Sequence, residues 1–247
     1  MVVEHAYSTF MKNLGILVLF SVAFLLGLLM PLLASTPTYS AMGGVHLRFM
    51  SIPTMGWIDA LAIGVAFLLS NYLVAFGLVA VNLIVKRERT AINLTTEVIK
   101  AISRYTFAIF LVFVLLFIIN AALQFALVAL EAPYLVSALV FLLIYLPVFY
   151  IGPAVVIDDL KPAQAVRSSI AHIKMYPVRV VKWTAGGLAL LFATAYASHF
   201  LFPAYFQWIT ILINSFLIIP FLLVYQAHNY IEKYGILKRP AKRGRMR

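Results

Sequence analysis

Cysteine is absent from this chain of 247 residues. That rules out a disulfide framework, a thiolate metal centre and a cysteine nucleophile. Charge is scarce as well: Asp, Glu, Lys and Arg make up 11% of the residues, where a soluble domain carries about 25%. Acids are the scarcest of all, 8 against 19 Lys and Arg. The motifs of hydrolytic chemistry are missing, with neither an H-E-x-x-H pair nor a G-x-S-x-G elbow. His5, His46, His172, His199 and His228 are scattered along the chain, too far apart in sequence to read as a ligand set. The strict alternation of a membrane β-barrel is not seen either.

What is present is grease. Hydrophobic residues make up 64% of the chain and the mean hydropathy is +1.01. The apolar residues come in runs, and about 20 of them as a helix cross the hydrocarbon layer. Without water in that layer each backbone polar group must pair inside its own segment, so the runs are expected to be helices. Six are marked out: 14–33, 58–85, 105–130, 134–157, 180–202 and 206–230. The first is too long for the core of a signal peptide and has no small-residue cleavage site, so it reads as a retained span. The fold expected is an all-α membrane bundle forming a single domain over 1–247.

The cations are lopsided. Lys12, Lys86, Arg87, Arg89, Lys100, Arg104, Lys161, Arg167, Lys174, Arg179, Lys182 and the tail from Lys233 all fall on one side of the six-span layout. Arg48 stands alone on the other. The positive-inside rule then places the protein in the cell membrane with both termini cytoplasmic and the 34–57 loop outside. The net charge of +11 belongs to one face, which suits anionic lipid headgroups. The basic tail 237–247 lacks aromatic interleaving, so nucleic acid is not the expected partner.

Three polar-faced segments sit at that surface: 2–13, 90–105 and 161–176. Apolar residues recur in them at helical spacing, as Val3, Ala6 or Tyr7, and Phe10; as Leu94, Val98 and Ile102; and as Ala163, Val166, Ile170 and Ile173. Each is too short and too charged to span, so each is expected to lie in the interface ahead of a two-span hairpin. Lys12, Arg104 and Lys174 fall at matching junctions. Pro147 and Asp159 of the fourth span align with Pro220 and Glu232 of the sixth. The pattern predicts three parallel repeats, 1–87, 88–159 and 160–236.

The most charged internal stretch is 155–183, where Asp158 and Asp159 are followed by Lys161, Arg167, Lys174, Arg179 and Lys182. These acids, just ahead of Pro162, are expected to meet the positive end of a helix. The cations are expected to snorkel toward lipid phosphate. Asp158, Asp159, Arg167, Lys174, Arg179 and Lys182 are thus the candidate lipid or partner contacts. No metal or cofactor site is expected, since two carboxylates alone make a weak cation site.

Within this stretch a resemblance to known proteins enters. The run GPAVVIDDLKPAQAVRSSIAHIKMYP resembles a segment of six-span membrane proteins that include the membrane-domain-like regions of glycerophosphoryl diester phosphodiesterases and the YciC-like proteins. Gly152, Pro153, Asp158, Pro162, Ala163, Arg167 and Ser168 carry the match; Ser169 and Ile170 stand where that group has tryptophan. The resemblance covers about 30 residues and implies a six-span membrane protein without the phosphodiesterase domain.

For function, the absence of catalytic constellations and of ionisable residues deep in the spans favours a non-catalytic membrane component. That means a scaffold, an assembly factor or an accessory subunit, with a membrane-protein partner or a second copy of itself. The alternative is a passive pore or a groove for a small neutral or lipid substrate. Asn71, Asn82, Asn120, Gln124 and Asn214 would line it, although interhelical amides commonly serve as glue.

Overall fold

The computed structural model describes residues 2–33, 38–41, 44–47, 56–90 and 96–232. Arg48 and the tail 237–247 lie outside them. The described chain is all helix apart from one short hairpin, β1 (Thr38–Ala41) with β2 (Gly44–Leu47), paired antiparallel with Thr38 opposite Leu47.

Six helical segments are long and apolar enough to cross a membrane. Span 1 is α2 (Leu14–Leu33), span 2 is α3 (Trp57–Thr90) and span 3 is α4 (Thr96–Ala129). Span 4 joins α5 (Tyr134–Tyr145) to α6 (Ile151–Val156) through a 3-10 turn at Leu146–Val148. Span 5 is α8 (Pro177–Leu201). Span 6 joins α9 (Phe206–Ile213) to α10 (Ile219–Ile231) through a π-helical turn at Asn214–Ile218. The limits agree with the expected runs to within a few residues. The two interrupted spans are the two with aligned prolines: Pro147 sits in the 3-10 turn and Pro220 follows the π turn. Proline lacks an N–H and clashes with the carbonyl one turn back, and a change of helical pitch relieves both.

Two of the three polar-faced segments form separate helices, α1 (Val2–Lys12) and α7 (Pro162–Met175). A single residue, Asn13, separates α1 from α2: its amide Nδ2 donates back to Thr9 O at 2.9 Å, while the backbone bonds from Asn13 N–H to Thr9 O at 3.2 Å and from Leu17 N–H to Asn13 O at 2.9 Å run on across it. Pro177 ends α7, forcing Tyr176 out of the helical region to φ −133, ψ 56. The second segment differs from expectation. From Thr96 onward it is the first part of α4, one helix with no break before span 3. No proline or glycine stands between 96 and 129 to interrupt it. Residues 91–95 and the side chains of 96–101 lie outside the described structure.

Two apolar cores hold the bundle. One gathers Ala75, Val79, Tyr105, Ile109, Tyr150, Ile151, Ala154, Val155 and Tyr230 from α3, α4, α6 and α10. The other gathers Ala6, Phe10, Leu17, Phe24, Val81, Val85, Val224 and Ala227 from α1, α2, α3 and α10. In the antiparallel sequence of spans, these positions come early in α4 and late in α3, α6 and α10. The cores therefore lie toward the end that bears the cations. Gly152 allows α6 to approach α3 closely: a Cβ there would lie 2.4 Å from Leu78 Cδ2.

Candidate functional site

The acids of the 155–183 stretch sit in the turn between α6 and α7. They do not cap α7. Its N-cap is Lys161, with no side-chain cap bond, and no acid lies in its first turn. Lys161 is extended (φ −65, ψ 153) and Pro162 follows it, which carries the chain away from the carboxylates. Asp159 instead ends the preceding helix. It takes the left-handed conformation, φ 54, and the next N–H, of Leu160, reaches back to Ala154 O at 3.3 Å. This is the role usually given to glycine or asparagine past a helix end, and Asp tolerates it better than most residues.

Both carboxylates reach distant helices. Asp158 Oδ2 accepts from the Tyr230 phenol of α10 at 2.7 Å, and the phenol oxygen of Tyr230 lies 2.9 Å from Ser168 Oγ on α7. Asp159 Oδ1 accepts from the Tyr105 phenol at 2.8 Å and pairs with the Arg104 guanidinium, both on α4. The hydrogen bond from Tyr105, with help from Arg104, holds the Asp159 carboxyl below the usual carboxylate range against the opposing effect of burial. Among the described residues no group of three or more His, Cys, Asp or Glu could hold a metal ion.

Between α4 and this turn lies an open groove of about 350 Å³. Its walls are Arg104, Tyr105, Ala108, Val155, Asp159, Leu160, Lys161 and Pro162. Arg104 stacks over the Tyr105 ring at 5.0 Å. Lys86 lies 5.8 Å from the centre of that ring and donates to Val156 O at 2.6 Å.

The cations of α7 and α8 divide. Arg179 turns inward, pairing with Glu232 at 3.1 Å, donating to Asn229 O at 3.3 Å and lying 4.0 Å over the Tyr176 ring. Arg167, Lys174 and Lys182 are exposed and make no ion pair among the described residues. The protein-facing side of α7 is distinct from its apolar stripe. Ala165, Ser169 and His172 are buried, Ala163 is exposed, and Val166, Ile170 and Ile173 are half-buried. The reason is close packing on α6. The N–H of Tyr150 has no partner in its own interrupted helix and donates to Ser169 Oγ at 3.0 Å. His172 fits edge-on against the Tyr150 ring at 4.6 Å and tilted against Tyr230 at 5.0 Å.

A second polar network ties α1 to the bundle. Thr9 Oγ1 donates to Glu88 Oε2 at 2.5 Å and lies 3.2 Å from His228 Nε2. Asn13 Nδ2 reaches Glu88 Oε1 at 3.1 Å. Each two-span hairpin thus carries a tie from a donor at or before its first span to an acid at the end of its second: Asn13 to Glu88, Arg104 to Asp159, and Arg179 to Glu232. Of the three cations at matching junctions, only Arg104 is the donor of its hairpin's tie; Asn13 and Arg179 donate in the other two. Thr9, Glu88, Ser169, Tyr150, His172, Tyr230 and Glu232 are absent from the candidates named from sequence. The one signal that could have found some of them is the alignment of Asp159 with Glu232, which marks an acid needing a partner at each hairpin end.

Comparison with protein families, with curated proteins and with solved structures gives no match for this chain.

Proposed function

We propose that this is a cell-membrane protein with both termini in the cytoplasm that works by binding and not by catalysis. It is a scaffold, assembly or accessory subunit whose basic face engages anionic lipid headgroups. One observation carries the reading. Glu88, Asp158, Asp159 and Glu232, four acids at the cation-bearing end, turn to partners within the bundle, while Glu4 of α1 is exposed. Arg87, Lys161, Arg167, Lys174 and Lys182 stay exposed at the same end. Internal pairing of these four acids leaves an excess of unpaired cations at that end, which attracts anionic lipid at about 1 kcal/mol per cation. The three hairpin ties support an organisation in three parallel repeats, with the first boundary placed after Glu88. The stretch 152–177 keeps its likeness to the six-span membrane group.

The test has two arms. Cysteines introduced by Ser40→Cys and Arg243→Cys, in a chain otherwise without cysteine, should label from opposite sides of the membrane. The double variant Arg167→Glu/Lys174→Glu should lose about 2 kcal/mol of preference for anionic over neutral lipid, read by native mass spectrometry from mixed micelles. An unchanged lipid preference refutes the reading.

A further inference from the structure

The groove between α4 and the α6–α7 turn combines features that a general basic surface does not. Its charged walls are Arg104, Lys161 and Asp159, two cations and one acid, leaving one positive charge. The Arg104 side chain is 67% exposed. Its contacts to Asp159 and Tyr105 both run through Nη2, so Nη1 and Nε keep donors directed elsewhere. The guanidinium lies over the Tyr105 ring, 5.0 Å from its centre. Lys161 is exposed and unpaired among the described residues. Below these groups the walls are apolar, with Ala108, Val155 and Leu160. The groove also straddles the limit of the apolar layer: the apolar window of span 3 begins at Ile102 and that of span 4 ends at Val156.

We propose that this groove binds the phosphodiester headgroup of one membrane lipid, with Arg104 and Lys161 on the phosphate oxygens and Ala108, Val155 and Leu160 against the glycerol and upper acyl chain. The charge selects the chemistry. A phosphodiester carries one negative charge and neutralises the walls, whereas free phosphate, a mixture of singly and doubly charged forms at neutral pH, brings extra negative charge beside the Asp159 carboxylate. The guanidinium fork matches two phosphate oxygens. The apolar wall of Ala108, Val155 and Leu160 offers an acyl chain a contact that inorganic phosphate cannot make. The proposal rests on the reading that this end of the bundle faces lipid headgroups, and it adds one discrete, saturable position to it.

The experiment is native mass spectrometry of the full chain, purified in detergent with phosphatidylglycerol and washed stepwise. One lipid copy should survive washing that strips the rest. Arg104→Gln/Lys161→Gln should weaken its retention about thirtyfold. Ala108→Trp, which fills the groove and leaves both cations in place, should abolish it and thereby covers any loss of folding in the charge variant. Arg167→Glu/Lys174→Glu should keep that one copy while losing the broad anionic preference, so failure here is distinct from failure of the basic-face reading. Retention unchanged by both groove variants overturns the proposal. Displacement of the copy by millimolar inorganic phosphate, with no difference between phosphatidylglycerol and its short-chain analogue, overturns the lipid as occupant.

Discussion

Replacing Gly152 by alanine puts the packing of α6 on α3 to a quantitative test. A Cβ at this position would stand 2.4 Å from Leu78 Cδ2, 2.8 Å from Asn82 Nδ2 and 3.0 Å from Leu78 Cγ. The Leu78 methyl is the end of a flexible side chain, but it is buried, and its Cγ is tight as well. Asn82 is held by the bond from its amide to Leu78 O at 2.8 Å, so displacing it risks about 1 kcal/mol. Overpacking of this kind costs about 1–3 kcal/mol. Against it stands the helix preference of alanine over glycine, up to about 1 kcal/mol. The balance is a loss of about 1–2 kcal/mol. Gly186→Ala is the control. It lies inside α8 with nothing within 4 Å of its would-be Cβ, so only the helix preference acts and stability should rise by about 0.5–1 kcal/mol. Unfolding of the two variants in the same detergent, by heat or denaturant, should therefore move in opposite directions. A Gly152→Ala protein as stable as Gly186→Ala would refute the close approach of α6 to α3.

Two further outcomes follow from the ties at the cation-bearing end. Thr9→Val keeps the shape of the side chain but leaves Glu88 and His228 without its hydroxyl; a loss of about 1–3 kcal/mol is expected, with earlier proteolysis within α1 in a time course. At Asp159 the conformation and the charge can be separated: Asp159→Asn and Asp159→Gly should be mild, whereas Asp159→Val must place a β-branched residue at φ 54 and should cost about 1–3 kcal/mol more, read as the thermal midpoint. Because the folded carboxyl of Asp159 sits below its ordinary value, its tie to Tyr105 is fully present above about pH 4 and is lost as pH falls through the lowered value; Asp159→Asn should flatten that acid limb of stability.

The spans were legible because hydropathy in a membrane is a local property. Runs of apolar residues answer to the solvent around them, so 206–230 in the sequence becomes Phe206–Ile231 in the structure. The helix ends were legible where proline sets them, as at Pro162 and Pro177. The second interfacial segment differs because amphipathic spacing alone cannot tell a separate helix from the first turns of a longer one; only a breaker such as Pro177 makes that difference. The candidate site was half legible. Asp158, Asp159 and Arg179 stand out as charges in the sequence, but the structure pairs them within the bundle, with Tyr230, Tyr105, Arg104 and Glu232, each more than 50 residues away and beyond the reach of any local pattern. The burial of Ser169 and His172 on α7 was hidden for a related reason. It depends on an orphan N–H at Tyr150, which exists only because span 4 is interrupted.

The placement of both cores toward the cation-bearing end bears on how the protein meets bilayers of different thickness. Spans 5 and 3 are the least covered by the rest of the protein: only 11% and 17% of their apolar windows are buried, and Leu115, Ile118, Leu139, Phe192 and Tyr196 are exposed. A helix clamped at one end and loose at the other absorbs hydrophobic mismatch by changing its tilt about the clamp. A thinner or thicker membrane would then splay or gather the far ends, with the 3-10 turn of span 4 and the π turn of span 6 as the pivots, while the ties from Asp158, Asp159 and Glu232 stay closed.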